Sequence, residues 1–153
     1  MTDRCDVAHD EVDVRRSAMD LLARREHSVF ELERKLLRRY PRDLIQTAVA
    51  RLADEGLQSD ERFAESYLRQ RVGRGYGPLR IQRELQERGV DDVLAESTLA
   101  TSGWNWQDVA EQALTKKFGA MPPSSLALAE KARILRFAAY RGFSREHLPP
   151  ALR

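Results

Sequence analysis

The chain has 153 residues, of which 42% are hydrophobic, 33% charged and only 7% aromatic. Those proportions exclude a disordered polyelectrolyte and a transmembrane bundle, and a core built on Leu, Ala, Val and Ile suits helices better than a sandwich or barrel. The formal net charge is +2, so the protein carries no uniform basic coat, and any anionic partner must meet a local patch.

Residues 1–11 read as a disordered acidic leader, with Asp3, Asp6, Asp10 and Glu11 and few apolar anchors. After them the apolar period is helical. Val14, Ala18, Leu21 and Leu22 form one stripe that ends near His27. Ser28 with Glu31 three positions on predicts a capping box, and the helix it opens carries Leu32, Leu36 and Leu37 before Pro41 stops it. A third helix with Leu44, Ile45, Ala48, Val49 and Leu52 closes at Gly56. The pattern then restarts. Ser59 or Asp60 caps a helix bearing Phe63, Ala64, Tyr67 and Leu68, which the glycines 73, 75 and 77 must break. Pro78 suits the first turn of the next helix, with Ile81 and Leu85 buried and Gly89 at its end. Val90, Val93, Leu94 and Leu99 mark a short helix after that. In a third round, Asn105 caps a helix with Val109, Ala110, Ala113, Leu114 and Phe118, ended by Gly119. The turn Met121-Pro122-Pro123-Ser124 leads to a helix with Leu128, Ile134, Leu135, Phe137 and Ala138, ended by Gly142. Ser144 opens a last helix that Pro149-Pro150 cuts short.

Three helical triplets in series follow from this: an all-α chain with units at 12–57, 58–102 and 103–153, the last with a truncated final helix. Leu32, Ile81 and Ile134 hold matching places in the second helix of each unit, as do Arg34, Arg83 and Arg136 two residues on. Their spacing, about 49 and then about 53 residues, is of tandem-module type.

The residues offer no catalytic constellation. His9, His27 and His147 lack metal-ligand spacing, the single cysteine, Cys5, has no partner, and neither a cofactor nor a metal is expected. Zinc-protease, phosphate-loop and nucleophile-elbow motifs are absent. Gly73, Gly75 and Gly77 lack both the preceding strand and the last glycine of a dinucleotide fingerprint. No apolar run approaches the roughly 20 residues that span a bilayer, and the leader has no apolar signal core, so a cytoplasmic location is expected.

The middle unit holds the unusual feature. Arg62, Arg69, Arg71, Arg74, Arg80, Arg83 and Arg88 face only Glu65, Glu84 and Glu87 in the same stretch. Arg80–Glu84, Arg83–Glu87 and Glu84–Arg88 are spaced to pair along one helix. Arg69, Arg71 and Arg74 crowd a helix C-terminus with no carboxylate in helical reach beyond Glu65. Beside Gly73, Gly75 and Tyr76 they form an anion-facing edge, which either DNA phosphate or an acidic protein surface satisfies. The candidate binding residues are therefore Arg69, Arg71, Arg74, Tyr76, Arg80, Arg83 and Arg88. Trp104 and Trp106 flank the start of the third unit, where packing between units is their first reading and base stacking their second.

One family resemblance runs through these residues. Leu52-x-x-x-Gly56-Leu57-x-Ser59-Asp60-x-Arg62-Phe63-Ala64 begins it, and Arg71-x-x-Arg74-Gly75-Tyr76-Gly77-Pro78-x-x-Ile81-x-x-Glu84-Leu85 is its sharpest part. Lys117-Phe118-Gly119 and Tyr140-Arg141-Gly142-Phe143 continue it, and over residues 14–148 the chain resembles the RecX family of recombination regulators. The resemblance implies tandem three-helix repeats in an elongated, curved molecule. It also implies binding in the groove of the RecA filament, damping of RecA's ATPase, strand-exchange and coprotease activities, and secondary contact with DNA. The chain is expected to be a monomer. The rival reading is a helix-turn-helix-like DNA-binding protein, since each triplet has about that size.

Overall fold

The computed structural model describes residues 10–120 and 126–153. Every regular element among them is helical, as the apolar period predicts: α1 (Glu11–Arg24), α2 (Val29–Leu36), α3 (Arg42–Asp54), α4 (Asp60–Gly73), α5 (Pro78–Glu87), α6 (Asp92–Thr101), α7 (Trp106–Phe118) and α8 (Leu128–Arg141). Two 3-10 turns follow, Arg145–His147 and Pro150–Leu152. No helix among the described residues is long and apolar enough to cross a membrane. The chain forms two compact units that divide after Phe63.

In the first unit, α1 starts inside the stretch that the sequence assigns to the leader. The Asp10 side chain accepts a hydrogen bond from the Asp13 amide, and Glu11 is the first helical residue. The rest of that leader, with Cys5 and His9, lies outside the described residues. Val14 and Ala18 of α1, Leu32 and Leu36 of α2, and Ile45, Ala48, Val49 and Leu52 of α3 bury together with Tyr40. Fully burying each of the larger aliphatic groups stabilises by about 1.5–3 kcal/mol. Ser28 and Glu31 make the reciprocal capping box. Gly56 adopts a left-handed φ of +76°, which lets the amides of Leu57 and Gln58 both return to the Leu52 carbonyl and end α3.

The two candidate caps of α4 divide their work. The Ser59 hydroxyl takes the Arg62 amide, whereas the Asp60 carboxylate accepts from the Val29 amide at 2.9 Å and from Gln58 Nε2 at 2.8 Å. Asp60 thus serves the start of α2, 31 residues away in sequence. His27 is buried beside it. Its Nδ1 faces the Arg25 carbonyl at 3.0 Å and its Nε2 faces the Lys35 ammonium, also at 3.0 Å. Since an ammonium only donates, Nε2 accepts and Nδ1–H donates: the ring is neutral. Burial pushes its pKa below the ordinary histidine value, and the neighbouring Arg25 and Lys35 charges act in the same direction.

In the second unit, Leu68 and Val72 of α4, Ile81 and Leu85 of α5, and Ala95 of α6 are buried; so are Val109, Ala110, Ala113 and Leu114 of α7, and Ile134 and Ala138 of α8. Leu94, Leu99, Phe118, Leu135 and Phe137 are half-buried, and two expected core residues are exposed. Val93 is 72% exposed, because the buried line of α6 runs through Ala95 and Thr98 and leaves Val93 on the opposite face. Leu128 is 84% exposed, because it opens α8 ahead of the helix's packed stretch at Ile134 and Ala138. The turn expected at Met121-Pro122-Pro123-Ser124 lies outside the described residues.

The last expected helix is instead the pair of 3-10 turns. Pro149 and Pro150 supply no amide donors, so an α-helical ladder cannot continue through them. The turns still bury Leu148 and Leu152 and so close this end of the unit. The Ser144 amide donates to His147 Nδ1 at 3.1 Å.

Candidate functional site

The site begins with a close approach of two backbones in the second unit. The Gly77 amide donates to the Arg141 carbonyl at 2.7 Å and the Leu79 amide to the Gly142 carbonyl at 3.1 Å, so the link before α5 is fastened to the end of α8. A Cβ at Gly77 would lie 2.6 Å from the Gly142 carbonyl oxygen, and one at Gly142 would strike Arg80. Gly142 also has a φ of +95°. Only glycines allow this fit.

The approach gathers charged and aromatic side chains from three helices. Glu84 of α5 accepts three hydrogen bonds: from Tyr67 Oη at 2.6 Å, Arg71 Nη2 at 2.8 Å and Arg80 Nε at 2.9 Å. Burial alone would raise the Glu84 pKa, but the bonds from Arg80, Tyr67 and Arg71 outweigh it and hold the carboxyl below its ordinary range. Tyr67 shifts up, through burial and then through its bond to that carboxylate.

Tyr76 stands beside this clamp. The guanidinium carbons of Arg71, Arg80 and Arg141 lie 3.8, 4.4 and 4.7 Å from its ring centroid. Each contact falls within the cation–π range. Arg141 Nη1 also donates to the Arg74 carbonyl at 2.7 Å, and Arg80 Nη1 to the Tyr140 carbonyl at 3.1 Å. Three guanidiniums therefore share the Tyr76 ring, and each also lies over a second ring: Arg71 over Tyr67, Arg80 over Tyr140 and Arg141 over Phe137.

This geometry divides the seven candidate residues. Arg71, Tyr76 and Arg80 come together in the clamp, and Arg71 finds in Glu84 of α5 the carboxylate that α4 does not place within its helical reach. Arg88 lies 4.8 Å above the Tyr67 ring. Arg83 is exposed and pairs with Glu87 at 3.9 Å, a surface interaction of little weight. Arg69 and Arg74 are exposed, and neither side chain has a hydrogen-bond or ion-pair partner among the described residues. Arg69 lines a hollow of about 300 Å³ and Arg74 a cleft of about 620 Å³.

Sequence reasoning missed Arg141, Lys116 and Lys117. The two lysines line the larger cleft. Their signal was present as adjacent cations in the last turn of α7, and Arg141-Gly142 repeats the Arg88-Gly89 step of the unit before. Trp104 lines both hollows and is 43% exposed, so it is not a packing residue closed in between units.

Comparison with known proteins bears on the whole of this arrangement. The family model for the RecX second three-helix domain matches residues 59–99, and that for the RecX first three-helix domain matches residues 15–52. A regulatory protein RecX of Pseudomonas entomophila (strain L48) is 47% identical over 136 residues, which cover 88% of this chain and 86% of that relative. The chain belongs to the RecX family. The regulatory protein RecX of Pseudomonas syringae pv. tomato (strain ATCC BAA-871 / DC3000) is 46% identical over 86% of this chain and 84% of its own length. Among solved structures, RecX from Lactobacillus salivarius superposes with a TM-score of 0.72 at 24% identity, covering 92% of this chain and 93% of that one. A second regulatory protein RecX gives 0.70 at 18% identity, covering 89% and 71%. These two share the fold. The second RecX domain, as matched, contains α4, α5 and most of α6, and with them all seven candidate residues and Glu84. Trp104, Lys116, Lys117 and Arg141 fall beyond both matched RecX domains.

Proposed function

We propose that this RecX-family protein is a regulator with no chemistry of its own, which binds the RecA–DNA filament and inhibits RecA's recombinase, ATPase and coprotease activities. Homologous recombination, DNA repair and the SOS response would be modulated through that binding. One observation carries the reading: identity of 47% over most of both chains to a relative named as a regulatory protein RecX.

In this reading a monomer acts in the cytoplasm, with the three-helix units 12–57, 58–102 and 103–153 as its docking modules. Arg69, Arg74 and Arg83 present guanidiniums to DNA phosphate or to an acidic face of the recombinase. Arg71, Arg80 and Tyr76 hold the edge in shape through Glu84, and Arg88 supports it from Tyr67. Many modest contacts repeated along a polymer give avidity without a catalytic group.

The test is ATP hydrolysis by preformed RecA filaments on single-stranded DNA as this protein is titrated in. A fall in rate well below one molecule per RecA subunit is expected. An unchanged rate at saturating protein sinks the reading.

A further inference from the structure

The larger cleft of the second unit is not accounted for by the clamp. Asp108, Gln112 and Lys116 line it at four-residue intervals on α7, and Trp104 stands one further interval ahead, just before the helix. Helical residues four apart share one face, each about 6 Å further along the axis. The wall therefore runs from aromatic ring to carboxylate, amide and ammonium, with Lys117 beside its last member. On the facing side, a Cβ at Gly75 would meet Ala113 Cβ at 3.3 Å and Arg141 Nη1 at 3.4 Å, which puts Arg141 level with Ala113. Arg74, whose carbonyl holds that guanidinium, lines the same cleft. The side chains of Asp108, Arg74, Lys116 and Lys117 are exposed, and none has a hydrogen-bond or ion-pair partner among the described residues.

We infer that this cleft is a binding site for a free guanine nucleoside polyphosphate, with the base stacked on Trp104, its edge held by Asp108, and its phosphates held by Lys116, Lys117 and Arg74. This goes beyond the proposed regulation, because the site requires neither a recombinase nor DNA. The order of the groups selects the ligand. An indole face stacks any base. A carboxylate only accepts hydrogen bonds, and guanine offers it two neighbouring donors, the ring N1–H and the amino group. Adenine sets a ring-nitrogen acceptor beside its amino group, which a carboxylate repels. Gln112, one step on, both donates and accepts, as ribose hydroxyls require. The lysines begin about 12 Å beyond Asp108 along the helix, on the side where phosphates follow the sugar. The volume of about 620 Å³ lies in the range of cavities that enclose a whole small ligand. A continuous strand has phosphate on both sides of every base, whereas this cleft puts its lysines at one end and a carboxylate next to the indole. An acidic peptide would leave Asp108 facing like charge.

The experiment is equilibrium dialysis of the full chain, alone, against GTP, ATP and guanosine, with intrinsic tryptophan emission read in parallel and a short oligothymidylate as competitor. GTP should bind, quench the emission and bind roughly tenfold or more tighter than ATP, the discrimination that one bidentate base contact supplies. Asp108→Asn should abolish or reverse that preference, because an amide presents one acceptor and one donor. Lys116→Gln/Lys117→Gln should weaken GTP by roughly tenfold or more and leave guanosine unchanged, since only the phosphates lose their charge-assisted contacts. Trp104→Ala should weaken GTP and guanosine alike by roughly five- to 100-fold, the loss of one stacked base. All four positions are exposed, and circular dichroism of each variant confirms folding. The inference is overturned by absence of GTP binding to the wild type, by equal affinity for GTP and ATP, or by a preference for GTP that survives Asp108→Asn. Quenching by oligothymidylate that saturating GTP cannot reverse would assign the cleft to a strand and overturn it as well. No RecA enters this assay, so its failure leaves the regulatory reading standing, and the ATPase titration tests that reading separately.

Discussion

Arg71 and Glu84 meet at 2.8 Å across α4 and α5, with side chains only 15% and 12% exposed. The pair turns an arginine that looked available for an anionic partner into a structural member of the protein's own clamp, since Glu84 also receives Tyr67 and Arg80.

Replacing Glu84 by Ala should then leave Arg71 and Arg80 without their carboxylate in a largely desolvated place. A loss of about 2–4 kcal/mol is expected, since breaking a buried pair costs more than the pair is worth. Arg69→Ala, at an exposed position of α4, should stay within about 0.5 kcal/mol of the wild type. Urea unfolding of the two variants side by side checks the contrast.

Function should sort the same residues the other way. Arg69→Ala/Arg74→Ala should keep the wild-type unfolding midpoint and raise the concentration needed to inhibit RecA ATPase by roughly tenfold or more, as the loss of two charge-assisted contacts implies. Inhibition curves that superpose on the wild type would remove both residues from the partner-binding face.

The glycine fastening makes a graded prediction. Gly77→Ala should cost about 2–3 kcal/mol, because its Cβ meets backbone that cannot move aside. Gly142→Ala should cost at least as much, since the strain of φ +95° adds to its collision with Arg80. Gly56→Ala, at φ +76° but with open space around it, should lose only about 1 kcal/mol. Thermal unfolding of the three variants reads the order directly.

Stability should also fall on mild acidification, through His27. Its folded pKa is depressed, so between that value and the ordinary histidine pKa of about 6.5 the unfolded chain binds more protons than the folded one. The contribution is whole above pH 6.5 and is lost as pH drops toward the folded value. His147, also depressed by burial, acts in the same sense. Lys35→Met removes the ammonium facing Nε2 and should shrink the loss of stability between pH 7.5 and pH 5.5, with the His27 ring titrating higher by NMR. A loss as steep as in the wild type would discard this account.

Local chemistry made much of the molecule legible in the sequence. The capping box at Ser28 and Glu31, the cap at Asn105, the stops at Gly56, Gly89, Gly119 and Gly142, and the buried Leu32, Ile81 and Ile134 are all short-range facts. Helical spacing and backbone conformation act within a few residues, so the chain declares them on its own. Where the sequence misled, it did so at helix edges: Val93 and Leu128 have the composition of core residues but lie on faces with nothing packed against them.

Partnership across helices was decided by the tertiary structure. Arg71 and Glu84 are 13 residues apart, Arg141 and Arg74 are 67 apart, and Asp60 serves a helix that begins 31 residues before it. The sequence by itself determined that the protein is helical, where most of its helices start and stop, and that its middle is rich in arginine. Which arginines are already engaged, and which still face outward beside Trp104, depended on where the fastening of Gly77 to Arg141 brought the helices together. Charge pairing over about 3 Å is set by folded distance, and folded distance between remote residues is not written in any local period.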